Sequence, residues 1–317
     1  MKFLLTAINA KFIHSNPAIY SLRAGVGEKL QPYVELAEFT INESLESILE
    51  GIWKRQPKVI GFSCYIWNWK LIRELLTELP KILPDTEIWL GGPEVTYDGP
   101  GLLREFPQIT GIMVGEGEVT FREVLDHYVR ETETAGQSEQ QPESGSTEQQ
   151  AADRTGTVAG KSVAERFGQI PGLCLASGYT APRELTDLTM LPFLYEDMEP
   201  FTNRIIYYET SRGCPYRCSY CLSSIDKKVR LRDIDVVKRE LQFFLDQNVK
   251  QVKFIDRTFN CDHKHAMEIW RYIYEHDNGV TNFHFEISAD ILREEEIALL
   301  NRFRPGLAQL EIGVQST

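Results

Sequence analysis

The sequence has few cysteines, no long apolar run and no recognisable export signal. Its six cysteines are too few and too unevenly spread over 317 residues to form a disulfide scaffold. No apolar run approaches the roughly 18 to 20 residues of a membrane-spanning helix. Asn9 and Lys11 interrupt the apolar N-terminus too early for a signal peptide. These absences predict a cytoplasmic protein with reduced thiols and no membrane partner.

An excess of positive charge is also missing. The chain carries 34 Lys and Arg residues against 46 Asp and Glu residues, which gives a net charge of −12. A protein that binds nucleic acid broadly needs a basic surface, so this composition argues against such a partner without excluding a local basic pocket. The remaining composition, 42% hydrophobic and 25% charged, is that of a soluble chain long enough for two domains.

Aromatic and large aliphatic residues are almost absent from one internal segment. Between Glu131 and Gly160 there is no aromatic residue, and Val158 is the only large aliphatic one. Such a composition cannot bury enough apolar surface to order itself, so a disordered, low-complexity insertion is predicted here. The predicted boundaries are 1–130 for a first domain, 131–169 for the insertion, 170–203 for a connector and 204–317 for a last domain.

The first domain contains five short apolar runs, each followed by a helical pattern or a glycine-rich turn. Alternation at this pace predicts a parallel sheet with helices on both faces, which is the flavodoxin-like, doubly wound α/β fold. Ligands of such domains lie beyond the carboxyl ends of the strands. Those ends carry polar residues and glycines here, and glycines let a large ligand approach the backbone.

Three of the cysteines, Cys214, Cys218 and Cys221, form a C-x3-C-x2-C pattern. Thiolates bind soft metals, and three on one loop can hold three corners of an iron–sulfur cluster. A structural zinc site normally has four protein ligands, and no second pair follows at zinc spacing. A zinc knuckle and three unrelated reduced thiols remain as the alternatives.

The cysteine pattern, with Tyr220 before its last cysteine and the lead-in 209–213 before its first, resembles the signature of the radical S-adenosylmethionine (SAM) enzymes. The resemblance implies a 4Fe-4S cluster on the three cysteines, with the fourth iron open to SAM. It also implies that 204–317 forms the first four β/α units of a partial barrel. Because the family barrel has six strands, a truncated chain is expected.

The resemblance also suggests residues that contact SAM. These are Tyr220, Asp256 at the end of the second strand, Glu286 on the third strand, and Gln315 on the fourth. Polar residues alternate with apolar ones on the third and fourth strands, which predicts that His284, Glu286, Glu311 and Gln315 face the barrel lumen. The alternative is that some of these side chains pair with each other. No catalytic side chain is assigned.

The first domain resembles the cobalamin-binding domain that precedes many radical SAM domains. The matching strand-end residues are Ser63, Gly91, Gly92, Gly115, Glu116 and Gly117. Cobalamin mutases and methyltransferases carry D-x-H-x-x-G after the first strand. Around His14 this chain has Phe12 and Pro17 in place of the Asp and Gly, so His14 is not expected to bind cobalt. The alternative is a flavodoxin-like domain with another nucleotide or no cofactor.

Together these resemblances imply a cobalamin-dependent radical SAM enzyme. Such an enzyme cleaves SAM reductively to a 5′-deoxyadenosyl radical, and methyl transfer to an unactivated carbon is the commonest outcome. The substrate is unknown, and the electron donor is expected to be a flavodoxin or ferredoxin. A non-catalytic cobalamin- or cluster-binding module, or an inactive fragment, is the alternative. A methylthiotransferase is disfavoured because such enzymes carry three further cysteines in the N-terminal domain, which here has only Cys64.

Overall fold

The computed structural model describes residues 1–138, 161–226 and 228–313. The chain forms two compact units, Met1–Thr186 and Asp187–Thr317. Within the described ranges, no helix combines the length and the apolar character needed to cross a membrane. Each unit is an α/β structure built on its own sheet.

The first unit is built on a seven-stranded sheet in the order β2-β1-β3-β4-β5-β6-β7. Strands β1 to β5 are parallel, and β6 and β7 add antiparallel strands at one edge. The strand order reverses between β1 and β3, which is where doubly wound domains bind ligands. The strands are β1 (Phe3–Asn9), β2 (Val34–Thr40), β3 (Val59–Ser63), β4 (Glu87–Gly91), β5 (Ile109–Met113), β6 (Leu173–Leu175) and β7 (Gly178–Tyr179).

The described residues of the first unit, 1–138 and 161–186, contain six α-helices. The sheet has two separate apolar cores, and every residue of β1 is buried, which explains its continuous apolar run. Asn16 caps the first helix by accepting a hydrogen bond from the backbone N–H of Ile19 (3.4 Å), and Pro17 follows it at the favoured first position. The helices are α1 (Pro17–Gly25), α2 (Leu45–Trp53), α3 (Trp69–Ile82), α4 (Gly99–Glu105), α5 (Gly117–Ser138) and α6 (Val163–Phe167).

The predicted disorder of 131–169 is wrong at both ends of that segment. Helix α5 continues to Ser138, and α6 lies inside the predicted insertion. The reason is a long-range ion pair: the fully buried Arg166 side chain contacts Glu131 (2.8 Å) on α5 and Glu87 (2.9 Å) on β4. Composition does not reveal such a partner. Residues 139–160 lie outside the described residues.

The first unit also extends beyond the predicted boundary at residue 130. Strand β6 pairs with β5 through Met113 and Leu173, so the first part of the predicted connector belongs to the first sheet. The apolar run at 170–174 predicts a short strand, which overlaps β6, but strands of two and three residues have no measurable periodicity that could reveal their pairing with β5.

The second unit contains a four-stranded parallel sheet in the order β13-β12-β11-β8, as expected for successive β/α units. The sheet does not close into a barrel within the described residues. Two short strands, β9 and β10, come between β8 and α7 in the chain and pair as an antiparallel hairpin. This hairpin was not predicted from the sequence. The elements are β8 (Ile206–Tyr208), β9 (Ser211–Arg212), β10 (Arg230–Leu231), α7 (Ile234–Asp246), β11 (Gln251–Phe254), α8 (His263–Glu275), β12 (Asn282–Ile287), α9 (Glu294–Leu300) and β13 (Ala308–Ile312).

The Arg166 ion pairs generate a first prediction. Arg166→Met should lower the free energy of unfolding of the first unit by about 3 kcal/mol, because it leaves two partly buried carboxylates without their cation. The control is Arg130→Met, since Arg130 forms an exposed pair with Asp126 and its loss should cost less than about 1 kcal/mol. Urea titration read by pulsed hydrogen exchange in β4 measures both variants.

The difference between Arg166→Met and the wild type should also depend on pH. Burial works to raise the pKa of Glu131, but the hydrogen bonds and charge of Arg166 outweigh it and hold the pKa below its ordinary value. A lowered pKa in the folded state gives stability that is present at neutral pH and is lost as the pH falls through that pKa. Equal costs for the two arginine variants, or a cost that grows in acid, would contradict the role given to Arg166.

Candidate cofactor sites

The three clustered cysteines lie on a loop whose two stems are paired. Strand β9 follows β8 directly, and Arg212 and Ser211 pair with Arg230 and Leu231 of β10. The hairpin therefore closes the loop at the carboxyl end of β8, the edge at which parallel sheets hold ligands.

A glycine at the start of this loop permits the close crossing of its two strands. Gly213 has φ +96°, and a Cβ there would overlap the backbone carbonyl of Lys228. The N–H of Cys214 donates to the carbonyl of Asp226 at 3.0 Å, which fixes the crossing. Only glycine meets both requirements without strain.

The three thiols differ in exposure. Cys214 is 8% exposed, and its Sγ lies 3.7 Å from Thr258 Oγ1. Cys218 and Cys221 are partly exposed and share a turn, in which the N–H of Cys221 donates to the carbonyl of Cys218 at 3.1 Å. Tyr220, between them, is 73% exposed.

The cysteine loop fits an iron–sulfur cluster in its donor chemistry. All three thiols are free, and soft thiolates are the ligands that such clusters require. In 1–138, 161–226 and 228–313, no three His, Cys, Asp or Glu side chains are gathered closely enough to hold a metal ion. The structure therefore supplies the ligand types and the loop, and it does not display an assembled metal site.

Asp256, which the sequence assigned to SAM, has a different set of partners. Its side chain is buried, and Oδ2 accepts from the N–H of Thr210 at 3.0 Å. Oδ1 accepts from the hydroxyls of Thr210 and Ser211, each at 2.6 Å. Burial raises the pKa of this carboxyl group, while the hydrogen bonds act in the opposite direction. Both oxygens already bind the stem of the cysteine loop, which argues against the predicted SAM contact.

A second buried carboxylate, missed by the sequence interpretation, holds the returning stem. Glu240 of α7 accepts from Arg232 Nη2 at 2.7 Å and from the Tyr208 hydroxyl at 2.5 Å. The backbone N–H of Arg232 donates to the carbonyl of Thr210 at 2.8 Å, which links the two stems. The sequence contains a signal for this role, because Glu240 lies on the inward face of an amphipathic helix, beside Leu241, where a carboxylate needs a partner.

The polar face predicted for the second sheet is present. Phe283 and Phe285 are buried on one side of β12, and His284 and Glu286 lie on the other. The alternative prediction was that some of these polar side chains pair with each other, and His284 and Glu311 do so. His284 Nε2 lies 3.0 Å from Glu311 Oε2, within ion-pair distance but outside hydrogen-bond geometry. Burial is the main cause that lowers the pKa of His284.

Lys253 of β11 lies at the centre of this polar face and was missed by the sequence interpretation. Its Nζ lies 3.1 Å from Glu311 and 3.3 Å from Glu286. Burial works to lower the pKa of Lys253, but the two carboxylates outweigh it and raise that pKa. The sequence does contain a signal for this residue, because Lys253 alternates with the apolar residues Val252 and Phe254 on the second strand. Gln315 lies outside the described residues.

In the first unit, a network of buried amides lies at the switch point between β1 and β3. Asn68 Nδ2 donates to the carbonyls of Ile8 (3.1 Å) and Ser63 (2.9 Å), which bridges the two strand ends. Asn16 Nδ2 donates to the hydroxyl of Ser63 at 3.2 Å, and Asn9 Nδ2 donates to Glu38 Oε1 at 2.8 Å. The three asparagines and Ser63 all lie in the strand-end segments 9–16 and 63–68, where the sequence predicts a ligand site, and Ser63 is the one that the resemblance assigns to cobalamin.

The glycines assigned to cobalamin differ in what surrounds them. Gly115 has φ +80° and no atom within 4 Å of where a Cβ would lie, so its α-carbon faces open space. Gly92 has φ +108°, and a Cβ there would lie 2.5 Å from the carbonyl oxygen of Cys64, so it serves the packing of two loops. At Gly91 a Cβ would meet only an ordinary contact with Met113, at 3.8 Å.

The two remaining residues of that set also have internal partners. A Cβ at Gly117 would lie 3.0 Å from Leu22 Cδ2, which places Gly117 against α1. Glu116 Oε2 accepts from the backbone N–H of Thr186 at 2.7 Å. Gly115 is therefore the assigned glycine whose surroundings best suit a large ligand at the carboxyl edge of the sheet.

Exposed apolar side chains lie in the loops at this same edge. Trp67 stacks on Tyr65 with ring centroids 4.4 Å apart, in the loop that follows β3. Exposed large apolar residues that cluster beyond strand ends are typical of ligand sites. Those in the loops after β1, β3 and β4 are Phe12, Ile13, Ile66, Trp67 and Tyr97.

Comparison with known families identifies a domain in each of the two units. Residues 4–125 match the family model of the B12 binding domain, and residues 208–317 match that of the Radical SAM superfamily. The chain therefore contains a B12 binding domain followed by a Radical SAM superfamily domain. Its two matched regions correspond to the two units of the structure.

Individual relatives differ in the reaction that their names describe. The chain is 27% identical over 235 residues to the 2-(S-pantetheinyl)-carbapenam-3-carboxylate methyltransferase of Streptantibioticus cattleyicolor, which is 68% of this chain and 29% of that protein. It is 24% identical over 280 residues to the anaerobic magnesium-protoporphyrin IX monomethyl ester cyclase of Rubrivivax gelatinosus, which is 86% of this chain and 46% of that protein. The chain thus spans less than half the length of either relative.

A solved structure shares the fold. The cobalamin-dependent S-adenosylmethionine radical enzyme OxsB, with aqua-cobalamin and S-adenosylmethionine bound, matches with a TM-score of 0.68 at 17% identity. The match covers 99% of this chain and 44% of that chain. The predicted α/β fold class, a doubly wound parallel sheet followed by a radical SAM β/α unit, is confirmed, and the described residues contain no closed barrel.

The crossing at Gly213 generates a second prediction. Gly213→Ala should remove most of the iron that the chain retains after anaerobic reconstitution with iron and sulfide, because the added Cβ displaces Lys228 and opens the loop. The control is Gly279→Ala, which has φ +76° but no neighbour within 4 Å, so it introduces backbone strain without a clash. Equal iron contents in the two variants would show that the crossing does not position the cysteines.

Proposed function

We propose that this chain binds a 4Fe-4S cluster through Cys214, Cys218 and Cys221 and cleaves SAM reductively. The observation that carries the proposal is the set of three free thiols on a loop closed by β9 and β10 at the carboxyl end of β8. When bound, such a cluster supplies one electron to the sulfonium of SAM, which releases methionine and a 5′-deoxyadenosyl radical.

The protein's own residues hold and surround that chemistry. Three thiolates leave one iron without a protein ligand, and this is the position that SAM would occupy. Thr258 Oγ1 lies 3.7 Å from Cys214 Sγ and is a polar side-chain atom beside that sulfur, while its hydroxyl donates to the carbonyl of Arg257 at 2.9 Å. Tyr220 on the loop and Glu286 on the polar face are the described residues that we assign to SAM; Asp256 is withdrawn from that set.

The first unit is proposed to bind cobalamin at the carboxyl edge of its sheet. The open space at Gly115, the Ser63 hydroxyl at the switch point and the exposed apolar loops support this assignment. The corrin ring is large and largely apolar, so it requires close backbone approach and apolar contact. No cobalt ligand is assigned to the protein, because the D-x-H-x-x-G pattern is missing around His14.

The proposed overall reaction is methyl transfer to an unactivated carbon, with a flavodoxin or ferredoxin as electron donor. The carbapenam methyltransferase supports this outcome, whereas the cyclase shows that a relative with similar regions performs different chemistry. The reductive cleavage of SAM is shared by these outcomes, and it is the step to test first.

Cys218→Ala should abolish cluster binding. The wild-type chain, reconstituted anaerobically, should hold about four iron and four sulfide ions and release 5′-deoxyadenosine from SAM once reduced. The variant should lose both properties because two cysteines cannot retain the cluster. Cys174→Ala is the control, since Cys174 is buried in the core of the first unit and should not affect iron content.

Two results would contradict the proposal. Zinc without iron in the wild-type chain would identify the loop as a structural zinc site. A full cluster without any 5′-deoxyadenosine would leave a cluster-binding module and remove the enzymatic assignment.

Gly115→Val should weaken cobalamin binding at least tenfold, because the new side chain occupies the open space that the corrin requires. Gly27→Val is a matched control in the same unit, since Gly27 has φ +77° and is also open within 4 Å. Gly27 follows α1, away from the carboxyl edge of the sheet. Titration with hydroxocobalamin, followed by its absorption spectrum, measures both. Equal affinities for the two variants would place cobalamin elsewhere or exclude it.

A further inference from the structure

Cys214 lies in a ring of contacts and chain links that begins and ends at Asp256. On one side, Asp256 binds Thr210 and Ser211, and the chain reaches Cys214 three residues after Ser211. On the other side, Thr258 lies two residues after Asp256, and its Oγ1 is 3.7 Å from Cys214 Sγ. The same residue therefore binds the backbone that leads to Cys214 and lies two residues before the hydroxyl that contacts its sulfur.

The hydrogen bonds of this ring have no substitute in the surroundings. Thr210 is fully buried and Ser211 nearly so, which means that water cannot replace a lost acceptor. One carboxylate accepts from three donors, and hydrogen bonds to a charged acceptor are the stronger kind. A carboxamide of the same shape has only one acceptor oxygen, so it leaves at least one of these buried donors without a partner.

We propose that Asp256 is the positioning residue of the cysteine loop and does not contact SAM. It holds β9 against the end of β11 and so sets where Cys214 presents its thiolate relative to Thr258. The inference rests on the proposed cluster at the three cysteines and adds a function for a residue in the second-strand position. Outer partners of metal ligands commonly change metal affinity by roughly 10- to 100-fold.

The test is Asp256→Asn in the full chain, reconstituted anaerobically alongside the wild type. The variant should release iron to a chelator roughly tenfold faster than the wild type. The electron paramagnetic resonance spectrum of its reduced cluster, recorded without SAM, should also shift because the geometry at Cys214 changes. Ser211→Ala removes one donor and should change both readings in the same direction by a smaller amount. It also provides the test if Asp256→Asn fails to fold.

Glu296→Gln is the matched control in the same unit. Glu296 is a fully buried carboxylate that pairs with His263 (2.9 Å) and caps α9 through the N–H of Arg293 (2.8 Å). Its substitution should lower folding stability without changing iron release or the spectrum. If Glu296→Gln changes iron release and the spectrum as much as Asp256→Asn does, Asp256 contributes only to folding stability, and the proposal is overturned.

Two other outcomes separate the possible failures. If the wild type holds a cluster and Asp256→Asn leaves its iron release and SAM-free spectrum unchanged while weakening SAM binding, Asp256 is a SAM ligand and the inference is wrong. If the wild type binds no cluster at all, the proposed function fails, and the inference fails with it.

Discussion

The burial of two carboxylates beneath the cysteine loop is the constraint on which the second unit depends. Asp256 holds the outgoing stem and Glu240 the returning stem, and each is satisfied by neutral or cationic donors. Buried charges are costly unless they are paired or hydrogen-bonded, so neither stem can shift without exposing an unmet partner. A loop that is proposed to offer three thiolates to one cluster gains from rigid stems, because the stems set where the ligand-bearing segment begins and ends.

In the first unit, buried amide side chains fix the strand ends in the way that buried carboxylates fix the loop stems in the second. Asn68 bridges the ends of β1 and β3, and Asn16 reaches the Ser63 hydroxyl from the start of α1. These bonds join the two strand ends at the switch point of the sheet, and the exposed apolar loops and Gly115 lie at the same edge. In both units, buried polar groups at the carboxyl ends of parallel strands fix the backbone that a cofactor would meet.

Much of this could be predicted because it depends on short-range pattern. The apolar run at Phe3–Asn9, the alternation along β12 and the spacing of Cys214, Cys218 and Cys221 are local properties of the sequence. The partner of Arg166, the pairing of β6 with β5 and the bonding of Asp256 are not, because each joins residues far apart in the chain. A buried carboxylate at a strand end has the same local signature whether it binds a ligand or a neighbouring stem.

The central claim is that the three cysteines hold a 4Fe-4S cluster with one iron open to SAM. A Mössbauer spectrum of the reconstituted full chain, recorded with and without SAM, tests it most directly. Adding SAM should shift roughly a quarter of the iron signal, from the one iron that lacks a cysteine ligand, and leave the rest unchanged. An unchanged spectrum, or iron that does not form a cluster, would contradict the assignment of the cysteine loop.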